Sequence, residues 1–154
     1  MSSTPSERDE QPVRVRLDLA YDGTDFAGWA RQTADRRTVQ GVLEDALALA
    51  VTRVPGPPPR LVVAGRTDAG VHATGQVAHV DLTAEQFAAV TRRRTGSGEA
   101  GALAVRVTGM LARDGDVVVR GSSVAPPGFD ARFSAVFRRY RYRIADGLAA
   151  QDPL

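Results

Sequence analysis

The segment Val13–Tyr21 alternates between apolar and polar residues, with Val, Leu and Tyr in one set and mainly Arg and Asp in the other. A period of two places the two sets on opposite faces of a β-strand. The strand is therefore buried on one face, and another part of the chain must supply the apolar layer that covers it. This requirement favours a fold in which a sheet packs against something on one side.

The remaining patterns predict two helices and four more strands. Apolar residues recur at helical spacing over Val39–Ala50 behind Thr38, a suitable N-cap, and a capping box that starts at Thr83 opens a second helix. Arg92–Gly101 is charged and rich in Gly and Ser, so we expect a mobile loop there. The order β-α-β-β-α-β-β predicts an α+β fold, an antiparallel sheet with helices on one face. The further strands are predicted at Leu61–Ala64, Gln76–Leu82, Val117–Arg120 and Phe133–Ile144.

Composition narrows the possible functions. The 154 residues include no Cys, which excludes a disulfide framework, a Cys-based zinc site and a thiol nucleophile, and is compatible with a reducing cytoplasmic environment. The apolar stretches are shorter than the roughly 20 residues that a membrane helix needs, so we expect no membrane partner. Residues 1–11 are rich in Ser, Pro and acids, and we expect a disordered tail there rather than a signal peptide.

Charge is distributed unevenly along the chain. Residues 92–143 contain 11 Arg and four acids, a net charge of +7 (11 − 4). An Arg-dense surface is the electrostatic signature of a protein that binds phosphate groups. The solvated face of a strand would produce the same count, and both interpretations stay open.

One acidic residue, Asp68, lies at a position that suits a catalytic carboxylate. Asp68 follows the predicted strand Leu61–Ala64 within the string Gly-Arg-Thr-Asp-Ala-Gly-Val-His-Ala, which spans residues 65–73. An acid at the end of a strand, between glycines that let a ligand approach the backbone, suits a nucleophile or a general base. Arg66 would keep this carboxylate ionised and could pair with a phosphate. A polar turn with a structural Arg–Asp contact fits the spacing equally well.

The whole string at residues 65–73 resembles the active-site motif of the tRNA pseudouridine synthase A family. Two further blocks agree with that family in the same order along the chain. The first comprises Tyr21–Gln32 and Thr38–Glu44, and the second runs from Phe129–Ala135 to Arg138–Tyr142. The resemblance implies that residues 12–154 form the N-terminal catalytic α/β half of a pseudouridine synthase, a ferredoxin-like unit, with the second half absent from this chain.

The resemblance also implies an activity. It predicts an isomerase that converts uridine to pseudouridine at positions 38 to 40 of the tRNA anticodon stem and loop, with Asp68 as the catalytic carboxylate. The family acts on tRNA as a cytoplasmic homodimer, without cofactors and without a metal. Asp68 could attack C1′, attack the base or abstract the 2′ proton of the sugar, and the sequence leaves these routes open.

Four other residues are candidate substrate contacts by the same resemblance. Arg66 would pair with Asp68 and help to hold a flipped nucleotide, and His72 would contact RNA. Tyr140 would stack on the flipped base while Tyr142 packs in the core, although core packing suits both rings. Arg31 belongs to a loop that would face the RNA.

A truncated, non-catalytic RNA-binding domain is the alternative. The RNA-recognition module of the common four-stranded kind carries an aromatic signature on one of its central strands. That signature is absent from Arg138–Ile144, which counts against this version of the alternative.

Overall fold

The computed structural model describes residues 11–33, 35–92 and 98–144, so all but Gln11 of the predicted tail lies outside the described residues. Within these ranges no helix is both long and apolar enough to cross a membrane. The elements along the chain are β1 Val13–Tyr21, α1 Val39–Ala50, β2 Leu61–Val63, β3 Ala73–Leu82, α2 Ala84–Thr91, α3 Gly98–Leu111 and β4 Val117–Val124.

The strands form one antiparallel sheet in the order β2-β3-β1-β4. β1 lies inside the sheet, where Leu17 is opposite Ala78 of β3 and Ser122 of β4. Because β1 and β2 both run antiparallel to β3, they point in the same direction with β3 between them. This is the split βαβ connectivity of ferredoxin-like folds, and it confirms the predicted α+β class.

The helices cover one face of this sheet. The alternate residues Val15, Leu17 and Leu19 of β1 are fully buried, as the period of two predicts. They share one core with apolar residues from all three helices, among them Leu43, Leu47, Val90, Leu103 and Val107. The opposite face carries the polar set of β1.

Both predicted helix starts are confirmed in detail. The hydroxyl of Thr38 accepts the Gly41 N–H at 3.1 Å at the start of α1. At the start of α2, the Thr83 hydroxyl accepts the Gln86 N–H, and the Gln86 side chain accepts the Thr83 N–H, each at 3.1 Å. These bonds satisfy backbone donors that have no partner within the helix.

The expected loop at Arg92–Gly101 is wrong from Gly98 onward, because α3 begins there. The glycines of this segment favoured the prediction of a loop, although the segment forms a helix whose apolar residues pack on β4. The Ser122 hydroxyl of β4 enters the hydrogen-bond ladder of α3, accepting the Ala104 N–H at 3.0 Å and donating to the Ala100 carbonyl. A tertiary contact therefore stabilises a segment of weak helix propensity. Residues 93–97 lie outside the described part of the chain.

The predicted last strand is also wrong. Phe133–Ile144 has no strand pairing, and its apolar side chains are exposed, with Val136 at 95% and Tyr142 at 87%. Tyr142 is therefore not a core residue in this structure. An alternating pattern forms a strand only where a neighbouring strand completes its hydrogen bonds, and this segment pairs with none of the four described strands.

A buried carboxylate joins α1 to the start of β2. Glu44 is 2% exposed, and its Oε1 accepts the Leu61 N–H at 3.3 Å and the Gln40 side-chain N–H at 2.9 Å. Its Oε2 faces Arg60 at 3.3 Å and Arg31 at 3.5 Å. A carboxylate can be buried here because each of its oxygens has donors.

Replacing Glu44 with Ala removes these acceptors and leaves the Leu61 N–H buried without a partner. We expect Glu44→Ala to lower the free energy of unfolding by about 2–3 kcal/mol, the usual effect of losing hydrogen bonds to a charged group. Urea denaturation measures it. Asp45→Ala is the matched control: Asp45 is the exposed next residue and also pairs with Arg31, so its loss should cost under about 1 kcal/mol. Equal losses in both variants would contradict the role of Glu44.

Candidate active site

Asp68 lies in the connection between β2 and β3, residues 64–72, which we name the Asp68 loop. Its carbonyl accepts the Val71 N–H at 3.2 Å, which closes a tight turn. Gly70 has φ +78°, a value that glycine adopts without strain and that such a turn requires at its third position. The Asp68 side chain begins this turn and is exposed to solvent.

The connection after β1, residues 22–30, holds the Asp68 loop through its main chain. We name this connection the Gly23 loop. The Trp29 N–H donates to the Thr67 carbonyl at 2.9 Å, and the Gly70 N–H donates to the Phe26 carbonyl at 3.2 Å. Trp29 and Phe26 are buried in the core, so the two main-chain bonds on either side of Asp68 are held by packed residues.

Two glycines allow this close approach. A Cβ atom added at Gly23 would lie 1.9 Å from the Val71 carbonyl oxygen, far inside contact distance. Gly28 has φ +100°, and a Cβ atom there would lie 3.0 Å from the Thr67 carbonyl oxygen. The Gly23 loop therefore needs glycine at both positions to reach the backbone that carries Asp68.

A buried hydrogen-bond network supports the Asp68 loop from the core side. The Gln76 side-chain amide donates to the Gly65 carbonyl at 2.7 Å and to the Tyr21 hydroxyl at 3.2 Å. The Tyr21 hydroxyl lies 2.7 Å from that of Thr67. The sequence held a signal for this network: Gln76 shares a strand face with the buried Ala78, and a polar residue on a core face requires a partner.

His72 is hydrogen-bonded to the Gly23 loop. Its Nδ1 accepts the Gly23 N–H at 2.9 Å, so the ring proton resides on Nε2. Asp22 lies 3.2 Å from the same Nδ1. Hydrogen bonds from the Thr24 hydroxyl and N–H hold the pKa of Asp22 below its usual 3.8. Asp22 thus has the short-range contacts of a turn-forming residue.

The segment that carries Tyr140 reaches the same loop. The Arg138 Nε donates to the Ala64 carbonyl at 3.1 Å. A Cβ atom added at Gly65 would lie 3.4 Å from the Tyr140 hydroxyl. Tyr140 is 62% exposed, so much of its ring is open to solvent. Residues separated by more than 70 positions in the sequence therefore meet at Ala64 and Gly65, four and three residues before Asp68.

Arg66 and Arg31 have different surroundings. Arg66 is exposed to solvent and forms no ion pair with Asp68. Arg31 lies against α1, where its guanidinium contacts Asp45 at 2.8 Å and Glu44 at 3.5 Å. The hydrogen bond from Arg31 to Asp45 raises the pKa of Arg31. The structure thus brings Asp68, His72 and Tyr140 to one loop and keeps Arg31 on the helix.

This arrangement offers an exposed carboxylate on a main chain that is held from two sides, with the Tyr140 hydroxyl against Gly65 of the same loop. Such a carboxylate can accept a proton or attack an electrophilic carbon of a ligand that docks against the loop. Among the described residues no group of three or more His, Asp or Glu side chains is placed to hold a metal ion.

Comparison with known proteins finds one family, both by a family model and by individual relatives. A family model described as tRNA pseudouridine synthase matches residues 19–99, more than half of the chain, including the Gly23 loop and the Asp68 loop. The tRNA pseudouridine synthase A of Leifsonia xyli subsp. xyli is 60% identical over 149 residues, which cover 94% of this chain and 51% of the relative. That of Streptomyces avermitilis is 54% identical over 142 residues, 92% of this chain and 46% of the relative.

The protein of the same name from Corynebacterium glutamicum is also 54% identical over 142 residues, with the same coverage. The chain spans about half the length of the curated relatives it matches. Over that half, the match includes both loops that form the candidate site. The chain therefore belongs to the tRNA pseudouridine synthase family.

Proposed function

We propose that this protein converts uridine to pseudouridine in tRNA, with Asp68 as the catalytic carboxylate. The observation that carries the proposal is the position of Asp68, exposed at a turn that the Gly23 loop holds through main-chain hydrogen bonds on either side. The family's name supports tRNA as the substrate. By the family resemblance, the target is the anticodon stem and loop, at positions 38 to 40.

The reaction is an isomerisation. The N1–C1′ bond of the nucleotide breaks, the base turns, a C5–C1′ bond forms, and the C5 proton is lost while N1 gains one. Nothing is oxidised or hydrolysed, so one correctly placed carboxylate supplies the chemistry that the reaction demands. Asp68 would either attack C1′ or the base, or remove the 2′ proton.

The other candidate residues would bind the substrate. Tyr140 would stack on the target base after that base has left its stack in the RNA, because the Tyr140 ring is open to solvent beside the Asp68 loop. Arg66 extends freely from this loop and would bind a phosphate, while His72 would donate its Nε2–H to RNA. Arg31 would meet the phosphate backbone from the α1 side of the Gly23 loop.

By the same resemblance we propose a homodimer that acts in the cytoplasm. Light scattering coupled to size-exclusion chromatography measures the assembly.

A non-catalytic RNA-binding domain is a second candidate, and the open surroundings of Asp68 favour it. Binding to phosphates alone would weaken steeply with salt and form no product. A tRNA affinity of this kind, measured beside the Leifsonia xyli relative as the reference for product formation, distinguishes the two candidates.

Asp68→Asn removes the charge while keeping the size of the side chain. We expect pseudouridine formation to fall by about a hundredfold to ten-thousandfold, the usual contribution of a positioned proton-transfer group. Binding of tRNA should be retained. Chemical mapping of pseudouridine in a tRNA transcript measures the rate.

The control for this variant is Asp25→Asn, which changes an exposed acid of the Gly23 loop. It should retain the wild-type rate. If Asp68→Asn forms product as fast as the wild type, Asp68 is not the catalytic carboxylate.

Tyr140→Leu removes the aromatic face, and Tyr140→Phe keeps it. We expect Tyr140→Leu to weaken tRNA engagement by roughly 1–3 kcal/mol, the usual value of base–aromatic stacking, and Tyr140→Phe to bind nearly as well as the wild type. Both variants should melt near the wild-type temperature, because the ring is mostly exposed. Tyr142→Leu, which alters a more exposed ring on the same segment, is the control. A Tyr140→Leu variant with wild-type affinity would rule out stacking.

A further inference from the structure

A buried histidine lies on the sheet face opposite the helices. His79 of β3 is 2% exposed and pairs in register with Arg16 of β1 and Val62 of β2. Its Nδ1 accepts the N–H of Ala131 at 3.0 Å, and Ala131 is itself buried. A main-chain amide far along the chain is thus bound to a side chain in the middle of the sheet.

A second contact holds the same segment. The Arg14 guanidinium forms two bonds with the Asp81 carboxylate, at 2.8 and 2.9 Å, and a third with the Phe129 carbonyl at 2.7 Å. The Phe129 ring stands edge-on to the His79 ring, with centroids 6.2 Å apart. We name the three side chains His79, Arg14 and Asp81 the dock.

The docked segment leads directly to the candidate site. A turn closes behind it, in which the Phe133 N–H donates to the Asp130 carbonyl at 3.1 Å. Beyond this turn the side chains are exposed, and Arg138 and Tyr140 are the ones that contact the Asp68 loop. The dock therefore fixes the point from which the chain crosses to that loop.

We propose that His79 is a positioning residue, which holds Phe129–Arg132 on the sheet by accepting the Ala131 N–H and thereby delivers Tyr140 to the Asp68 loop. The part of this inference that concerns turnover rests on the proposed function. The part that concerns the placement of Tyr140 does not.

The acceptor exists only while His79 is neutral. Burial, and then the positive charge of Arg14, lower the pKa of His79 below its usual 6.5, against smaller opposing effects of Asp81 and Asp130. Arg16, opposite His79 in register, and Asp18, which accepts a hydrogen bond from Arg16 at 2.9 Å, are further charged groups on this face. A protonated ring would present an N–H to the Ala131 N–H. Because release of the segment exposes the ring and removes part of the burial that lowers its pKa, docking weakens as the pH falls and the ring becomes protonated.

The test uses His79→Leu, which removes the acceptor, and His79→Asn, whose side-chain oxygen can occupy the position of Nδ1. In His79→Leu we expect the Ala131 amide to exchange with solvent about tenfold faster, as expected when a buried donor loses its partner. The nuclear Overhauser contact between Tyr140 and Gly65 should disappear. The kcat for pseudouridine formation should fall by about tenfold or more, with a smaller change in KM.

His79→Asn should restore all three readouts. Its Ala131 protection should also stay nearly constant at acidic pH, where that of the wild type falls as His79 becomes protonated. Val90→Ala, a change at a buried core residue of α2, controls for general loss of stability and should leave the Tyr140–Gly65 contact in place.

Two results would show that His79 does not hold the segment Phe129–Arg132. One is a wild-type exchange rate at Ala131 in His79→Leu, and the other is failure of His79→Asn to restore the slow exchange. Faster exchange with an intact Tyr140–Gly65 contact would overturn the positioning role. If the wild-type protein forms no pseudouridine, the proposed function fails, and the exchange and contact measurements still decide the role of His79.

Discussion

The contact between Gly23 and the Val71 carbonyl is the constraint on which the candidate site depends. No side chain fits between the two backbones, since a Cβ atom at Gly23 would lie 1.9 Å from that oxygen. The same two loops are joined by the hydrogen bond from the Trp29 N–H to the Thr67 carbonyl, at 2.9 Å. The position of Asp68 is therefore set by main-chain contacts that leave its carboxylate exposed.

The sheet topology explains why these two loops meet. β1 and β2 run in the same direction, so the Gly23 loop and the Asp68 loop leave the sheet at the same edge. β3 lies between them and contributes Gln76, whose amide joins Gly65 to Tyr21 at the end of β1. The site is thus built where β1 and β2 end and β3 begins.

Local patterns predicted most of the fold. The alternation in β1 and the caps of α1 and α2 were sufficient because their signals are short-range. α3 was missed because its stability comes from contacts with β4, including the insertion of Ser122. The last strand was predicted wrongly because Phe133–Ile144 carries the pattern without a described partner strand.

The sequence identified the Asp68 loop as the candidate site, but it did not identify the residues that hold this loop in place. The string around Asp68 identified the loop, and Tyr140 was matched to it from the other end of the chain. The support given by Gln76 and His79 was not recognised. The Tyr21 hydroxyl is 55 positions from Gln76 and the Ala131 N–H is 52 positions from His79, so short-range patterns do not indicate these contacts. Local patterns also did not indicate that the Arg31 guanidinium lies against Glu44 and Asp45 of α1.

The most direct test of this account is the rate of pseudouridine formation in Gly23→Ala, with Gly75→Ala as its control. A Cβ atom at Gly75 would meet nothing within 4 Å. The account predicts that Gly23→Ala slows the reaction by about a hundredfold, because a displacement of the Asp68 loop by about 1 Å is enough for such a loss. Gly75→Ala should react at the wild-type rate. A wild-type rate in Gly23→Ala would contradict the account.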